Sequence, residues 1–164
     1  GILPLEAFHI PRSLRKFIRK DTFEIRVDTA FVDVIEGCAE REETWISEAI
    51  VRSYLELHRL GQAHSVEAWR DGELVGGLYG VRLCGAFFGE SMFSRVSEAS
   101  KVCLVALVER LKRGGFTLLD TQWSNSHLAQ FGCVEVDREE YVDRLAEALA
   151  TDAIWACDHG GKKD

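Results

Sequence analysis

The spacing of polar and apolar positions changes several times along the chain, and each change marks an element. Across residues 11–20, Leu14, Phe17 and Ile18 face one way. Arg12, Lys16, Arg19 and Lys20 recur at i, i+4, i+7 and i+8 on the other side, the spacing of an amphipathic helix. Pro11 suits its first turn, because its φ is fixed and it has no N–H to leave unbonded. Phe23 to Val27 alternates apolar and charged residues, as a half-buried strand does. A stripe of Ile46, Ile50, Tyr54 and Leu57 predicts a helix over 44–60, with Thr44 as N-cap and Gly61 as its stop. Next come a strand from His64 to Trp69, a tight turn at Asp71-Gly72 and a partner strand from Glu73 to Val81. A short strand at Gly85 to Phe88 precedes a long helix that Ser97 can cap, running through Leu111 to Gly114-Gly115. Thr117 to Asp120 reads as a short apolar strand ending on a carboxylate. A helical turn at 126–131, a strand at 133–136 and a helix at 138–150 complete the order. Helices and strands that interleave around a central hairpin predict an α/β or α+β fold with a mixed sheet.

Composition narrows this picture. The 164 residues, 46% apolar and 29% charged, fit one domain, expected over 1–157, with a polar, Gly-rich flexible tail at 158–164. No apolar run approaches the ~20 residues of a membrane span, and no signal-peptide pattern is present. Five widely spaced cysteines without a CxxC pair suit reduced thiols in a cytoplasm better than a disulfide framework or a zinc site. The net charge of −7 argues against nucleic acid as a partner, but its distribution argues the other way. Arg12, Arg15, Lys16, Arg19 and Lys20 fall within nine residues that hold no acid, making one basic patch on an otherwise acidic body.

Three segments hold candidate chemistry. Gly76-Gly77-Leu78-Tyr79-Gly80 places three glycines on a strand, which implies either a bulged hairpin or a close approach by backbone or ligand. It is not a phosphate loop, since neither GxGxxG nor GK[ST] is present. Phe87 to Arg95 sets Glu90, Ser91 and Ser94 among aromatics and Met92. A buried Glu90 would require a cation, and Arg95 is the nearest in sequence. The other reading is an apolar pocket whose one carboxylate receives a cationic substrate. Asp120 and Gln122, two apart near a strand end, place their side chains on one face. They could serve a reacting centre or cap the following turn. His127 has no second histidine at metal spacing, and no GxSxG elbow supports a nucleophilic serine.

Taken in order, these segments resemble one family. They are His9-Ile10-Pro11-Arg12-Ser13, Val34-Ile35-Glu36-Gly37-Cys38-Ala39, Thr44-Trp45-Ile46, Leu74 to Val81, Gly89 to Arg95, Ala99-Ser100-Lys101, and Asp120-Thr121-Gln122 with His127. The ordered set, above all GGLYGV followed by GESMFSR and ASK, resembles the bacterial leucyl/phenylalanyl-tRNA–protein transferases from about residue 2 to residue 148. The resemblance implies a GNAT-like fold: a mixed, largely antiparallel sheet flanked by helices. It implies transfer of Leu or Phe, and less often Met, from aminoacyl-tRNA to proteins with an N-terminal Arg or Lys, marking them for degradation. No metal or organic cofactor is implied, and a cytoplasmic monomer is expected.

Carried over by motif, the resemblance implies that Arg12, Arg15, Lys16, Arg19 and Lys20 hold the tRNA. It places Trp45, Phe87, Gly89, Met92 and Ser94 around the pocket for the transferred side chain and the terminal adenosine. Glu90 becomes the substrate-site carboxylate, answered by the acceptor's own Arg or Lys. Asp120 and Gln122 fall at the reacting centre. Family members also carry an N-terminal segment ending in a WWSP-like motif, which this sequence does not include, so the chain is expected to be the catalytic portion. An acetyl-CoA-dependent acyltransferase would need a [QR]xxGx[GA] loop, and here Arg95 to Ser100 has Glu98 where Gly belongs. A non-catalytic tRNA-binding module is the alternative from a different class.

Overall fold

A computed structural model describes residues 1–40 and 46–156. The expected Thr44 cap, Trp45 and the 158–164 tail lie outside the described residues. Five strands form one sheet: β1 (Glu24–Val27), β2 (Ala63–Arg70), β3 (Glu73–Leu83), β4 (Ala86–Ser94) and β5 (Leu118–Asp120), in the order β1-β2-β3-β4-β5. The first four are antiparallel neighbours, and β5 runs parallel to β4. Among the described residues six α-helices surround the sheet: α1 (Arg12–Arg19), α2 (Phe31–Ala39), α3 (Glu48–Arg59), α4 (Ala99–Gly114), α5 (Ser126–Ala129) and α6 (Arg138–Leu149). This is the mixed, largely antiparallel, helix-flanked architecture that a GNAT-like fold requires.

Two apolar cores lie on opposite faces of the sheet. Leu14 of α1 and the buried side of α4 (Val102, Cys103, Leu107, Leu111) meet Val66, Leu78 and Phe87 on one face. Phe31, Val34 and Ile35 of α2, with Tyr54 of α3 beside them, cover Tyr79 and Phe93 on the other. A third cluster joins α6 to the β4–β5 end through Ile2, Ala86, Leu118 and Ala148. The glycine-rich strand supplies both of its expected features. The register slips between Tyr79 and Gly80, and both helices approach the backbone closely. A Cβ at Gly76 would stand 2.5 Å from the Ala99 side chain of α4. One at Gly77 would stand 3.1 Å from Val34 of α2.

Several expectations are corrected. The helix over 44–60 begins at Glu48, where Ser47 Oγ accepts the Ile50 N–H at 3.3 Å. The strand expected to stop at Phe88 continues to Ser94, so the GESMFS segment is strand rather than a loop before a helix. Ser97 does not cap α4. The N-cap is Glu98 at φ 73, and Ser94 Oγ accepts the Ser100 N–H at 2.9 Å. Residues 133–136 form no strand, although Val134 makes a single bridge to Ile2. The sequence pattern did not reveal α2. It has no cap of its own; the carboxylate of Glu67, from β2, accepts the N–H groups of Thr29 at 3.0 Å and Ala30 at 2.9 Å.

Candidate active site

β5 is much shorter than the strand beside it. Ala86, Phe87 and Phe88 pair with Leu118, Leu119 and Asp120, and then β5 ends while β4 runs on to Ser94. The two strands part at that point, leaving a cleft of about 690 Å³ over α4. Its apolar lining comes from Leu78, Met92, Leu104, Leu107, Leu119 and Leu128. Of these, only Met92 was among the expected pocket residues. The α4 leucines carry no motif and are recognisable only as one buried side of a helix.

A β-bulge shapes the mouth. Tyr79 pairs with Ser91 and Gly80 with Gly89, so Glu90 opposes no residue of β3. An extra residue inverts the alternation of the strand beyond it. Phe87 and Phe93, six apart and normally on one face, lie in opposite cores. The inversion also places Met92 against the α4-side core.

Around the bulge runs a row of hydrogen bonds. Gln122 Nε2 donates to the Gly89 carbonyl and to Glu90 Oε2, each at 3.3 Å. The Tyr54 hydroxyl of α3 also bonds Glu90. Asp120 Oδ1 accepts the Gln122 backbone N–H at 2.6 Å, and Oδ2 accepts from the Tyr141 hydroxyl of α6. Gln122 has a left-handed backbone, φ 71. For a non-glycine residue this costs on the order of 1–3 kcal/mol and persists where the surroundings impose it. Asp120 supplies one such constraint. Of the two roles the sequence left open, the turn is the one seen: the Asp120 carboxylate holds it, and the Gln122 side chain lines the cleft.

The titrations follow from these positions. Burial, more than any neighbour, raises the Glu90 carboxyl above its ordinary value. Hydrogen bonds from Tyr54 and Gln122 oppose this rise, and the charge of Asp120 adds to it. Arg95 does not answer Glu90: it pairs with Glu40 at 2.8 Å and donates to the Leu74 carbonyl. Among the described residues Glu90 has no cationic partner. Burial also raises the Tyr141 hydroxyl to about 12, helped by Asp120, so Tyr141 is a donor at neutral pH. His127, at the cleft, is pushed down by burial and by Lys101, and its Nε2 is buried without a partner among the described residues.

The remaining expected residues fall as follows. Gly89, Met92 and Ser94 line the cleft, with Ser94 Oγ also serving α4 as described. Phe87 stands behind the wall, 0% exposed and stacked on Trp155 at 5.6 Å between centroids. Arg12, Arg15, Lys16, Arg19 and Lys20 are all exposed on and just beyond α1. That helix buries Leu14 in the same core that floors the cleft, so the basic surface and the cleft share one face of the sheet. Trp123, 66% exposed at the mouth, was not expected. Among the described residues, no cluster of His, Cys, Asp or Glu has the arrangement to hold a metal ion.

Residues 2–146 match the family model for leucyl/phenylalanyl-tRNA protein transferase. The chain belongs to that family. It is 61% identical over 157 residues to the leucyl/phenylalanyl-tRNA–protein transferase of Paramagnetospirillum magneticum, covering 93% of this chain and 75% of the relative. It is 58% identical over 156 residues to the one from Herpetosiphon aurantiacus, covering 94% and 82%. Leucyl/phenylalanyl-tRNA–protein transferases are aminoacyltransferases, and this chain is one by membership. The structure of L-PGS from Bacillus licheniformis shares the fold, with a TM-score of 0.50 at 16% identity. The match covers 89% of this chain and half of that longer one.

Proposed function

We propose that this chain transfers leucine or phenylalanine, and less often methionine, from aminoacyl-tRNA to the α-amine of proteins beginning with Arg or Lys, marking them for degradation. The observation that carries the reading is the junction at the β4–β5 mouth, where a cleft floored by Leu78, Met92, Leu104 and Leu107 ends on the Glu90–Gln122–Asp120 row. The cleft takes the side chain of the transferred residue. It rejects charged side chains strongly and separates apolar ones by only ~1–3 kcal/mol per methylene. Glu90, half-buried and with no cation beside it among the described residues, receives the guanidinium or ammonium of the acceptor. Gln122 orients the acceptor amine. That amine attacks the ester carbonyl, the C–N bond forms, and the ester C–O bond breaks. The proton lost by nitrogen ends on the released ribose hydroxyl. An α-amine has a pKa near ~8, so a useful fraction is already neutral, and positioning supplies much of the rate.

Asp120 does not line the cleft; it holds Gln122 and adds negative potential behind it. The exposed basic face of α1 takes the tRNA backbone. Glu98 at the N-cap of α4, paired with Lys101 at 3.0 Å, sets a carboxylate where a pyrophosphate would meet the helix N-terminus. That disfavours coenzyme A as donor. On this reading no metal or organic cofactor takes part, and the enzyme works as a cytoplasmic monomer. No helix of the described residues is long and apolar enough to cross a membrane.

The test mixes purified protein with radiolabelled Leu-tRNA or Phe-tRNA and peptides beginning with Arg, Lys or Ala. Label should pass to the Arg and Lys peptides and not to the Ala peptide. Binding of tRNA without transfer to any peptide would overturn the reading in favour of a binding module.

A further inference from the structure

We infer that Tyr141 is a positioning residue for the transfer step, holding Asp120 so that Gln122 keeps its place at the cleft. The inference rests on the proposed role of Gln122 and extends the site to α6, which no motif of the sequence touches.

A carboxylate held by one oxygen can still swing about its Cβ–Cγ bond. Asp120 is held by both. The Gln122 N–H takes Oδ1 at 2.6 Å, and the Tyr141 hydroxyl takes Oδ2. The two donors come from independent elements, so together they fix the carboxylate plane. The phenol ring is set by packing that owes nothing to the cleft. Tyr141 and Leu145 lie against Ile2, Ala86, Leu118 and Ala148. α6 is pinned to the sheet by the Gly85 N–H, which donates to the Ala148 carbonyl at 2.8 Å. At its other end Asp137 caps it, accepting the Glu140 N–H at 2.8 Å. Beyond Asp120 the constraint continues. Gln122 is held in its left-handed conformation, and its amide reaches the Gly89 carbonyl and Glu90. Freed of Tyr141, Asp120 can rotate and Gln122 can relax toward ordinary φ, which carries its amide away from the mouth.

Tyr141→Phe removes one oxygen and keeps the ring. kcat for transfer to an Arg peptide should fall roughly tenfold, since small misplacements at a reacting centre carry large rate losses. KM for aminoacyl-tRNA and for the peptide should stay within about twofold, and the melting temperature should hold. In an Asp120→Ala background the same substitution should cost nothing further, because residues acting as one unit are not additive. Phe23→Ala, in the core beside β1 at the far edge of the sheet, should lower the melting temperature and leave kcat alone. The proposal falls if Tyr141→Phe leaves kcat intact while Asp120→Ala abolishes transfer, if the two losses add, or if activity falls only in step with the melting temperature. Full transfer by Asp120→Ala would instead overturn the reading of the site itself.

Discussion

Two glutamates of the central sheet, Glu67 on β2 and Glu90 on β4, have opposite surroundings. Glu67 is 0% exposed and its carboxylate is saturated. It accepts from the Thr29 and Ala30 N–H groups, the Thr29 hydroxyl, Ser65 Oγ at 2.7 Å and Trp69 Nε1 at 3.3 Å. Nothing about it awaits a ligand, and its work is to start α2. Glu90 is only partly buried yet has two side-chain donors, Tyr54 and Gln122, and burial pushes its carboxyl up. A carboxylate whose surroundings satisfy it fully holds a fold together. One that its fold leaves short of partners, at the mouth of a cleft, is the one to which the proposed function gives a partner from outside.

The largest expected effect separates the two by stability. Glu67→Ala takes the acceptor from the buried Ser65 hydroxyl and from the part-buried donors of Thr29, Ala30 and Trp69; at ~1–3 kcal/mol for each donor left unpaired, urea denaturation should show a loss of about 3 kcal/mol. Molecules that remain folded should still transfer. Glu90→Gln should act in reverse. It should lower kcat/KM for Arg and Lys peptides roughly 10- to 100-fold, the worth of one charge-assisted hydrogen bond, while raising the melting temperature at pH 7. The sign follows from the direction of the shift. The folded carboxyl is raised, so folding disfavours the ionised form, and the penalty is present above the folded pKa and fades as pH falls through it. A variant that loses stability at pH 7 would refute this contrast. In the unmodified enzyme, kcat/KM for the Arg peptide should drop on acidification with a midpoint above the ordinary carboxylate value, and Glu90→Gln should lack that limb. The smallest effect belongs to Tyr54→Phe. The Tyr54 hydroxyl holds Glu90 down, so its loss should move the acid limb to higher pH; an unmoved limb would show that Tyr54 does not govern this titration.

Much of the fold was legible because its cues are local. The basic and apolar faces of α1, the Asp71-Gly72 turn, the Gly115 stop of α4 and the Asp120 end of β5 all appear where spacing and turn chemistry put them. Two failures at helix starts share a cause. α2 starts on a carboxylate from β2, 37 residues away in sequence, and α4 on Ser94 of the preceding strand. A helix whose cap comes from another element leaves no signature at its own start. The candidate site divides in the same way. Glu90 stood out as a carboxylate among aromatics, and Asp120 and Gln122 as a polar pair near a strand end. Leu104 and Leu107, which floor the cleft, look like any buried helical leucines, and Phe87, expected at the pocket, stacks on Trp155 from the far end of the chain.

The sequence by itself determined which residues are capable of the chemistry, because charge, hydrogen-bonding capacity and residue order are properties of the chain. It also determined the family, through motifs whose order survives without knowledge of the fold. Tertiary structure alone decided how those residues meet. A single extra residue at Glu90 turns β4 over, β5 stops at Asp120 while β4 continues, and α6 brings Tyr141 to the second oxygen of Asp120. These are relations between elements distant in sequence. They arise from backbone pairing and core packing, which no local pattern records.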